Sequence, residues 1–130
     1  MDAGTDYFTN FKRVMWVGIA LNVFFGLWLW FSPASLLGVM GIDQPAPLTW
    51  ARYAGLAMVV VSLFYLPAAL SPLHNRFIAA MATVSRGLFS LFFLFATGIL
   101  WLPALYEAVF AVLQGTTFWR GWRADLMAKP

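Results

Sequence analysis

Residues 77–106 read FIAAMATVSRGLFSLFFLFATGILWLPALY, and Arg86 is the only charged residue among them. A helix of about 20 apolar residues is long enough to cross a lipid bilayer. A guanidinium in the middle of such a helix costs from about 3 kcal/mol on insertion scales to more than about 10 kcal/mol in simulations. The stretch therefore predicts membrane helices, and Arg86 is the first candidate functional residue.

The composition of the whole chain agrees with this interpretation. Hydrophobic residues make up 62% of the sequence and charged residues 10%, and the mean hydropathy is +0.79. Soluble domains carry roughly a quarter of charged residues. The 130 residues have room for about four spans and short connections. We predict an all-α integral membrane four-helix bundle that forms a single domain over residues 1–130.

Turn-forming residues separate four apolar runs. Ser32-Pro33 closes the first run, Pro103 opens the fourth, and Pro67 is expected to bend the last turn of the second. Between the first two runs we predict a short interfacial helix over residues 34–42, ended by Gly41. The predicted spans are residues 14–31, 48–70, 77–97 and 103–119.

The first run has an alternative interpretation as a secretory signal peptide, because basic residues precede it and small residues follow it. Its apolar core is longer than that of a typical signal peptide, and further spans come after it. We therefore favour an uncleaved first helix.

The basic residues indicate the orientation. Six of the eight Lys and Arg residues lie at the N-terminus, in the connection between the second and third spans, or at the C-terminus, whereas the other two connections carry only Asp43. Cytoplasmic segments are enriched in Lys and Arg. This pattern predicts a multi-pass protein with both termini in the cytoplasm. The basic residues form no patch interleaved with exposed aromatic residues, so nucleic acid is not an expected partner.

Counting about 1.5 Å per helical residue places the polar residues of the spans at two depths. Arg86 follows Arg76 by ten residues, which puts it roughly 15 Å deep, near the centre of a core roughly 30 Å thick. Asn22 and Ser62 reach a similar depth in the first and second spans. Arg52 and Glu107 lie nearer the outer surface.

Each span has one face of small and polar residues. On the third span this face carries Arg86 with Ala79, Thr83, Gly87, Ser90 and Thr97, and on the fourth it carries Glu107 with Ala104, Ala111 and Gln114. Small residues at such spacing let membrane helices approach closely, so helix packing explains most of these positions. For Glu107 we predict a salt bridge with Arg52 at their shared depth.

Such a salt bridge leaves Arg86 without a carboxylate of its own, although its side chain is long enough to approach Glu107 or Asn22. Two guanidiniums, Arg52 and Arg86, would share the single carboxylate of Glu107, and one positive charge would remain in the bundle. A buried charge needs a partner. Helix carbonyls, trapped water, a neighbouring subunit and a ligand are the alternatives. The candidate binding residues are Arg86, Arg52, Glu107, Asn22 and Ser62.

Catalytic and metal-binding patterns do not emerge from the sequence. The chain has no Cys and a single His, His74, in the predicted cytoplasmic connection. One His cannot supply the ligands of a zinc or haem site. Apart from Glu107, the acidic residues lie at the ends or in loops, so no carboxylate pair is expected. We therefore predict no catalytic residue, no metal and no cofactor.

Several short motifs carry a family resemblance. The stretches Ala51-Arg52-Tyr53-Ala54-Gly55-Leu56, Leu63-Phe64-Tyr65-Leu66 and Pro72-Leu73-His74-Asn75-Arg76, with Arg86-Gly87 beyond them, resemble small bacterial four-span proteins of the DoxX-like type. The resemblance covers roughly residues 50–95. It implies a compact four-helix bundle in a bacterial inner membrane, a group sometimes linked to quinone-dependent or stress-related membrane complexes.

Three functions are consistent with the sequence. In the first, the protein is a non-enzymatic accessory or binding subunit that holds a lipid or quinone at the Arg86 layer, as a homo-oligomer or within a larger membrane complex. In the second, it is a small oligomeric transporter or channel in which Arg52 and Arg86 form an anion path. In the third, it is a membrane enzyme that uses Glu107 as acid or base.

Overall fold

The computed structural model of the protein describes residues 3–43, 47–95 and 101–128. Within these ranges the chain forms six helices and no strand, which confirms the all-α prediction. The helices are α1 (Ala3–Phe31), α2 (Pro33–Val39), α3 (Thr49–Phe64), α4 (Leu66–Leu70), α5 (Arg76–Phe95) and α6 (Trp101–Met127).

Two of the described helices are long and apolar enough to cross a membrane, Tyr7–Phe31 and Arg76–Phe95. They correspond to the first and third predicted spans. The second predicted span is divided, because α3 ends at Phe64 and Pro67 lies in the first turn of α4. The 16 residues of α3 measure about 24 Å, which is less than the hydrocarbon core. The complete four-span bundle stays a prediction.

The helices at the two ends of the chain are longer than the apolar runs that predicted them. α1 begins at Ala3 rather than at residue 14, and α6 extends from Trp101 to Met127 rather than from 103 to 119. Pro103 is accommodated in the first turn of α6, where the backbone N–H groups have no partner within the helix. The predicted end of the third span, residues 96 and 97, lies outside the described residues.

The short helix α2 begins and ends at the residues that favour its termini. Pro33 occupies its first position, and Gly41 follows its end with φ of 66°. Gly41 donates to the carbonyl of Gly38 at 3.2 Å, and Ile42 donates to that of Leu37 at 2.9 Å. This is the bond pattern of a Schellman motif, in which glycine adopts the left-handed conformation without steric cost.

The described helices divide between two compact units, Met1–Val17 with Tyr65–Pro130 (the first unit) and Gly18–Phe64 (the second unit). In the first unit, α5 and α6 pack antiparallel. Arg76 at the start of α5 forms a 2.8 Å ion pair with Asp125 near the end of α6. Toward the other end, the Ser90 hydroxyl donates to the carbonyl of Ala104 at 2.9 Å.

The N-terminal part of α1 and the residues around α4 complete the first unit. The rings of Phe11 and Phe118 lie 5.5 Å apart, which joins α1 to α6. The ring of Phe8 lies against Gly121, where a Cβ would come within 3.1 Å of it. Tyr65 and Ser85 share a 2.7 Å hydrogen bond between their hydroxyls, which fixes the start of α4 to α5.

In the second unit, the backbones of α1 and α3 touch at two glycines. A Cβ on Gly26 would lie 2.8 Å from the carbonyl oxygen of Gly55. A Cβ on Gly55 would lie 2.5 Å from the carbonyl oxygen of Gly26 and 2.7 Å from the backbone nitrogen of Trp30. Only glycine permits this approach, which is a common way for membrane helices to pack.

Many large apolar side chains are exposed along the helices, although others form an apolar core; Phe95, Phe77 and Phe31 are 83%, 77% and 74% exposed. Several polar and charged side chains of the described residues are buried. They are Asn22, Ser62, Arg86, Ser90, Glu107 and Gln114.

Candidate functional site

Arg86 lies on the buried face of α5, together with Ala79, Ala82 and Ser90. Its side chain is only 2% exposed although it carries a full positive charge. The three companions are small because α6 packs closely against this face and leaves room for one long side chain. The sequence placed Arg86 on the small and polar face of this helix, and the structure puts it there.

Glu107 on α6 is the partner of Arg86. Nη1 of Arg86 donates to Oε2 of Glu107 at 2.9 Å, and the Glu107 side chain is 11% exposed. A charge-assisted hydrogen bond of this length between buried groups is among the stronger interactions in a protein. The pair joins α5 to α6 between the Arg76–Asp125 ion pair at one end and the Ser90 hydrogen bond at the other.

This pairing differs from the predicted salt bridge between Glu107 and Arg52. In the structure the Glu107 carboxylate accepts a hydrogen bond from Arg86 instead, and Arg52 is exposed on α3. Glu107 is also within the expected reach of Arg86, because an arginine side chain is longer than one helical turn, but the estimate of equal depth favoured Arg52. The excess positive charge expected at Arg86 is therefore not present, since the pair is neutral.

Aromatic rings of α6 surround the rest of the guanidinium. Its central carbon lies 4.8 Å from the ring centroid of Phe110 and 5.9 Å from that of Tyr106. These two rings lie 5.0 Å apart, one turn from each other on α6. A cation near an aromatic face gains about 2 kcal/mol when both groups are desolvated. Tyr106, Glu107 and Phe110 together place the guanidinium against one surface of α6.

One edge of the guanidinium has no partner among the described residues. Nε and Nη2 of Arg86 are buried and make no hydrogen bond. These two nitrogens form the edge whose N–H groups point in the same direction, which is the geometry that holds a two-oxygen acceptor side-on. An unpaired buried donor costs about 1 to 3 kcal/mol, and more when it is charged. The open edge is the feature of this site that can bind something.

Gln114 is a polar residue of the site that we had not assigned to it. It lies on α6, is 0% exposed, and neither Nε2 nor Oε1 has a hydrogen-bond partner within the described part of the chain. It follows Glu107 by seven residues and so shares its face of the helix. That spacing was visible in the sequence, where Gln114 appeared only as a member of the small and polar face.

Asn22 on α1 and Ser62 on α3 both belong to the second unit. Ser62 is fully buried, and its hydroxyl donates to the carbonyl of Met58, one turn earlier in α3, at 2.8 Å. Such a bond satisfies a serine inside a membrane helix without any ligand. Asn22 is buried on α1 at 7% exposure. The common layer of these two residues with Arg86 stays a prediction.

The described residues hold no group of three or more His, Asp or Glu side chains close enough together to bind a metal ion. His74 is exposed in the turns that precede α5. The polar chemistry of the site therefore rests on Arg86, Glu107 and Gln114.

Comparison with known protein families, with characterised proteins and with solved structures finds no match for this chain. The resemblance to DoxX-like proteins is therefore neither supported nor opposed by these comparisons.

Proposed function

We propose that the protein is a non-enzymatic integral membrane protein that binds the polar head group of an amphiphile, a lipid or a quinone, at Arg86. The observation that carries this proposal is the open Nε and Nη2 edge of a side chain that is 2% exposed. Evolution tolerates so costly a group inside a membrane protein mainly where it serves a function. The protein acts as a binding or accessory subunit, as a homo-oligomer or within a larger membrane complex.

The exposed apolar surface supports a membrane location. α5 presents Phe77, Phe92 and Phe95 outward, while its buried face carries Arg86 and Ser90. In water, an exposed apolar surface of this extent along a helix would lead to aggregation. In a bilayer the same surface is solvated by acyl chains, and the polar groups turn inward. Two helices of sufficient length and hydropathy agree with this location.

The charges at one end of the first unit support the proposed orientation. The ion pair between Arg76 and Asp125 places the start of α5 and the end of α6 at the same end. Arg120 and Arg123 lie in the last turns of α6 and add to this basic end. By the positive-inside rule it faces the cytoplasm. We propose the bacterial inner membrane as the location, with both chain termini on the cytoplasmic side.

A neutral head group fits the site better than an anion. Glu107 already balances the charge of Arg86, so an added anion would leave one net negative charge buried between the helices. This argument weakens the alternative of an anion transporter, which needs an uncompensated positive charge along its path. The enzyme alternative needs a carboxylate that is free to move a proton, whereas Oε2 of Glu107 accepts a bond from Arg86.

Native mass spectrometry of the protein released from its own membrane tests the proposal. We expect the wild type to retain a bound amphiphile of defined mass. The variant R86M/E107L replaces the neutral pair by apolar side chains and is expected to fold, because such replacement is often neutral or stabilising. It should lose the bound mass, whereas the control R76M/D125L, at the exposed ion pair, should keep it. An equal lipid complement on all three proteins would contradict the proposal.

A further inference from the structure

Gln114 carries a second set of unsatisfied polar atoms, on the helix against which the Arg86 guanidinium lies. The guanidinium lies over Phe110, and Gln114 follows Phe110 by four residues on the same face of α6. Four residues of helix rise about 6 Å. Gln114 therefore belongs to the turn of α6 that follows Phe110, the residue whose ring contacts the guanidinium.

The facing part of α5 offers no hydrogen bond to this amide. Ala79 and Ala82 on the buried face of α5 carry no polar side-chain atom. Thr83, whose methyl group would lie 3.4 Å from a Cβ on Gly115, uses its hydroxyl to bond the carbonyl of Ala79 at 3.0 Å. The described side chains of α5 therefore leave both amide atoms of Gln114 without a hydrogen-bond partner.

The chemistry of the two groups limits what can bridge the Arg86 edge and the carbonyl of Gln114. Nε and Nη2 of Arg86 can only donate, whereas Gln114 donates from Nε2 and accepts at Oε1. A guest must therefore present an oxygen acceptor and also a hydrogen-bond donor. A bare carbonyl or an oxidised quinone satisfies Arg86 but leaves Oε1 of Gln114 unpaired. An anion is disfavoured because Glu107 already neutralises Arg86.

We propose that Arg86 and Gln114 form a two-point site for a neutral hydroxyl-bearing group, which accepts from the Arg86 edge and donates to the Gln114 carbonyl. This inference rests on the proposed function, because it names the head-group chemistry of the same site. The hydroxyl has two sources, the alcohol head of a membrane amphiphile or bound water. In either case Gln114 is a binding residue and not a packing residue.

Two probes with the same acyl chain separate hydroxyl recognition from binding of the chain. The first is 1-monooleoylglycerol, which has two hydroxyls, and the second is methyl oleate, which has an ester carbonyl and no hydroxyl. Binding is measured as the shift in the unfolding midpoint of the protein in phosphatidylcholine nanodiscs. We expect monooleoylglycerol to bind the wild type roughly three- to tenfold more tightly than methyl oleate, because its hydroxyl adds the hydrogen bond to Gln114 that an ester carbonyl cannot make.

The substitution Gln114→Met removes both amide atoms at nearly constant volume. It should weaken monooleoylglycerol binding by roughly three- to tenfold and leave methyl oleate binding unchanged. Gln114→Asn keeps the amide on a shorter side chain and should retain part of the preference, which provides a second variant if the first folds poorly. The control Thr116→Val, on the exposed side of α6, should leave both affinities unchanged because Thr116 bonds only its own helix.

These measurements either identify the source of the hydroxyl or contradict the proposed two-point site. A preference for monooleoylglycerol that depends on Gln114 supports an alcohol head group. If neither probe is preferred, but Gln114→Met lowers the unfolding midpoint and water-edited NMR shows the Gln114 amide protons beside water, the hydroxyl belongs to bound water. If Gln114→Met is as stable as the wild type and the probes bind it as they bind the wild type, the inference is wrong.

The proposed function can survive that result or fail separately. If both probes lose affinity in R86M/E107L but not in Gln114→Met, the amphiphile binds at Arg86 and the two-point site does not exist. If neither Arg86 nor Gln114 affects any bound amphiphile, the proposed function itself fails.

Discussion

Arg86 on α5 and Glu107 on α6 are joined by one hydrogen bond of 2.9 Å, and that bond uses a single nitrogen of the guanidinium. The charge of the arginine is therefore balanced while its hydrogen-bonding capacity is not. Charge balance and hydrogen-bond satisfaction are separate requirements for a buried ion, and this site meets only the first with its own residues.

The Arg86–Glu107 pair should show strong coupling in a double-mutant cycle. Each of R86M and E107L alone leaves a buried charge without its partner and should lower the free energy of unfolding by about 3 to 5 kcal/mol. The double variant should be close to the wild type in the absence of added amphiphile. Denaturant unfolding in detergent micelles measures all four proteins. Additive losses in the double variant would show that the two side chains act independently.

The ion pair between Arg76 and Asp125 should behave differently, because its side chains are 37% and 23% exposed. D125N should lower the free energy of unfolding by less than about 1 kcal/mol, since solvent screens a pair at this exposure. Salt should reduce the difference further, whereas the Arg86–Glu107 coupling should hardly respond. Repeating the unfolding measurement at low and high ionic strength tests this contrast, and a salt-insensitive loss of several kcal/mol in D125N would oppose it.

Close contact between Gly26 and Gly55 predicts that either glycine is sensitive to the smallest side chain. G26A and G55A should each destabilise the protein by about 1 to 3 kcal/mol, because a methyl group would meet backbone atoms that cannot move aside. The matched control is G87A in the interior of α5, where no atom lies within 4 Å of the added Cβ. That change should be neutral or stabilising by up to about 1 kcal/mol. Similar effects at all three positions would contradict the close crossing of α1 and α3.

Much of this architecture was predictable from the pattern of the sequence, but the pairing was not. The helical period placed Arg86 with Ala79 and Ser90 on one face, and the structure buries all three. It also placed Gly87 there, whereas Gly87 faces open space, because a step of one residue turns 100° around the helix. The depth of a residue estimated from the helix ends is uncertain by about one helical turn. For this reason the estimate favoured Arg52 over Arg86 as the partner of Glu107.

Gln114 shows the other limit of sequence reasoning. A glutamine on a small and polar face is indistinguishable by its spacing from one that bonds a neighbouring helix. Only the structure shows that Gln114 is fully buried and that both amide atoms lack a partner in the described residues. Spacing identifies which residues share a face, whereas the partners depend on how two helices meet.

The absence of cysteine makes the proposed topology directly testable. Single cysteines introduced at Asp43, His74 and Asp125 should be labelled by an impermeant maleimide in intact cells only at position 43. After the membrane is opened, all three should react, which controls for the reactivity of each site. Labelling of position 74 or 125 from outside would contradict cytoplasmic termini.

The most direct measurement of the central claim is photo-crosslinking from a position beside the guanidinium. A diazirine-bearing phenylalanine analogue at Tyr106, whose ring lies 5.9 Å from the Arg86 guanidinium, reports on what occupies the open edge, and the same analogue at exposed Phe92 reports on bulk lipid. After irradiation in native membranes, we predict a single adduct of defined mass at position 106 that is lost in R86M/E107L, and a mixture of phospholipid adducts at position 92. The same mixture at both positions, or an adduct at position 106 that persists without Arg86, would contradict the claim that the open edge of Arg86 binds a specific molecule.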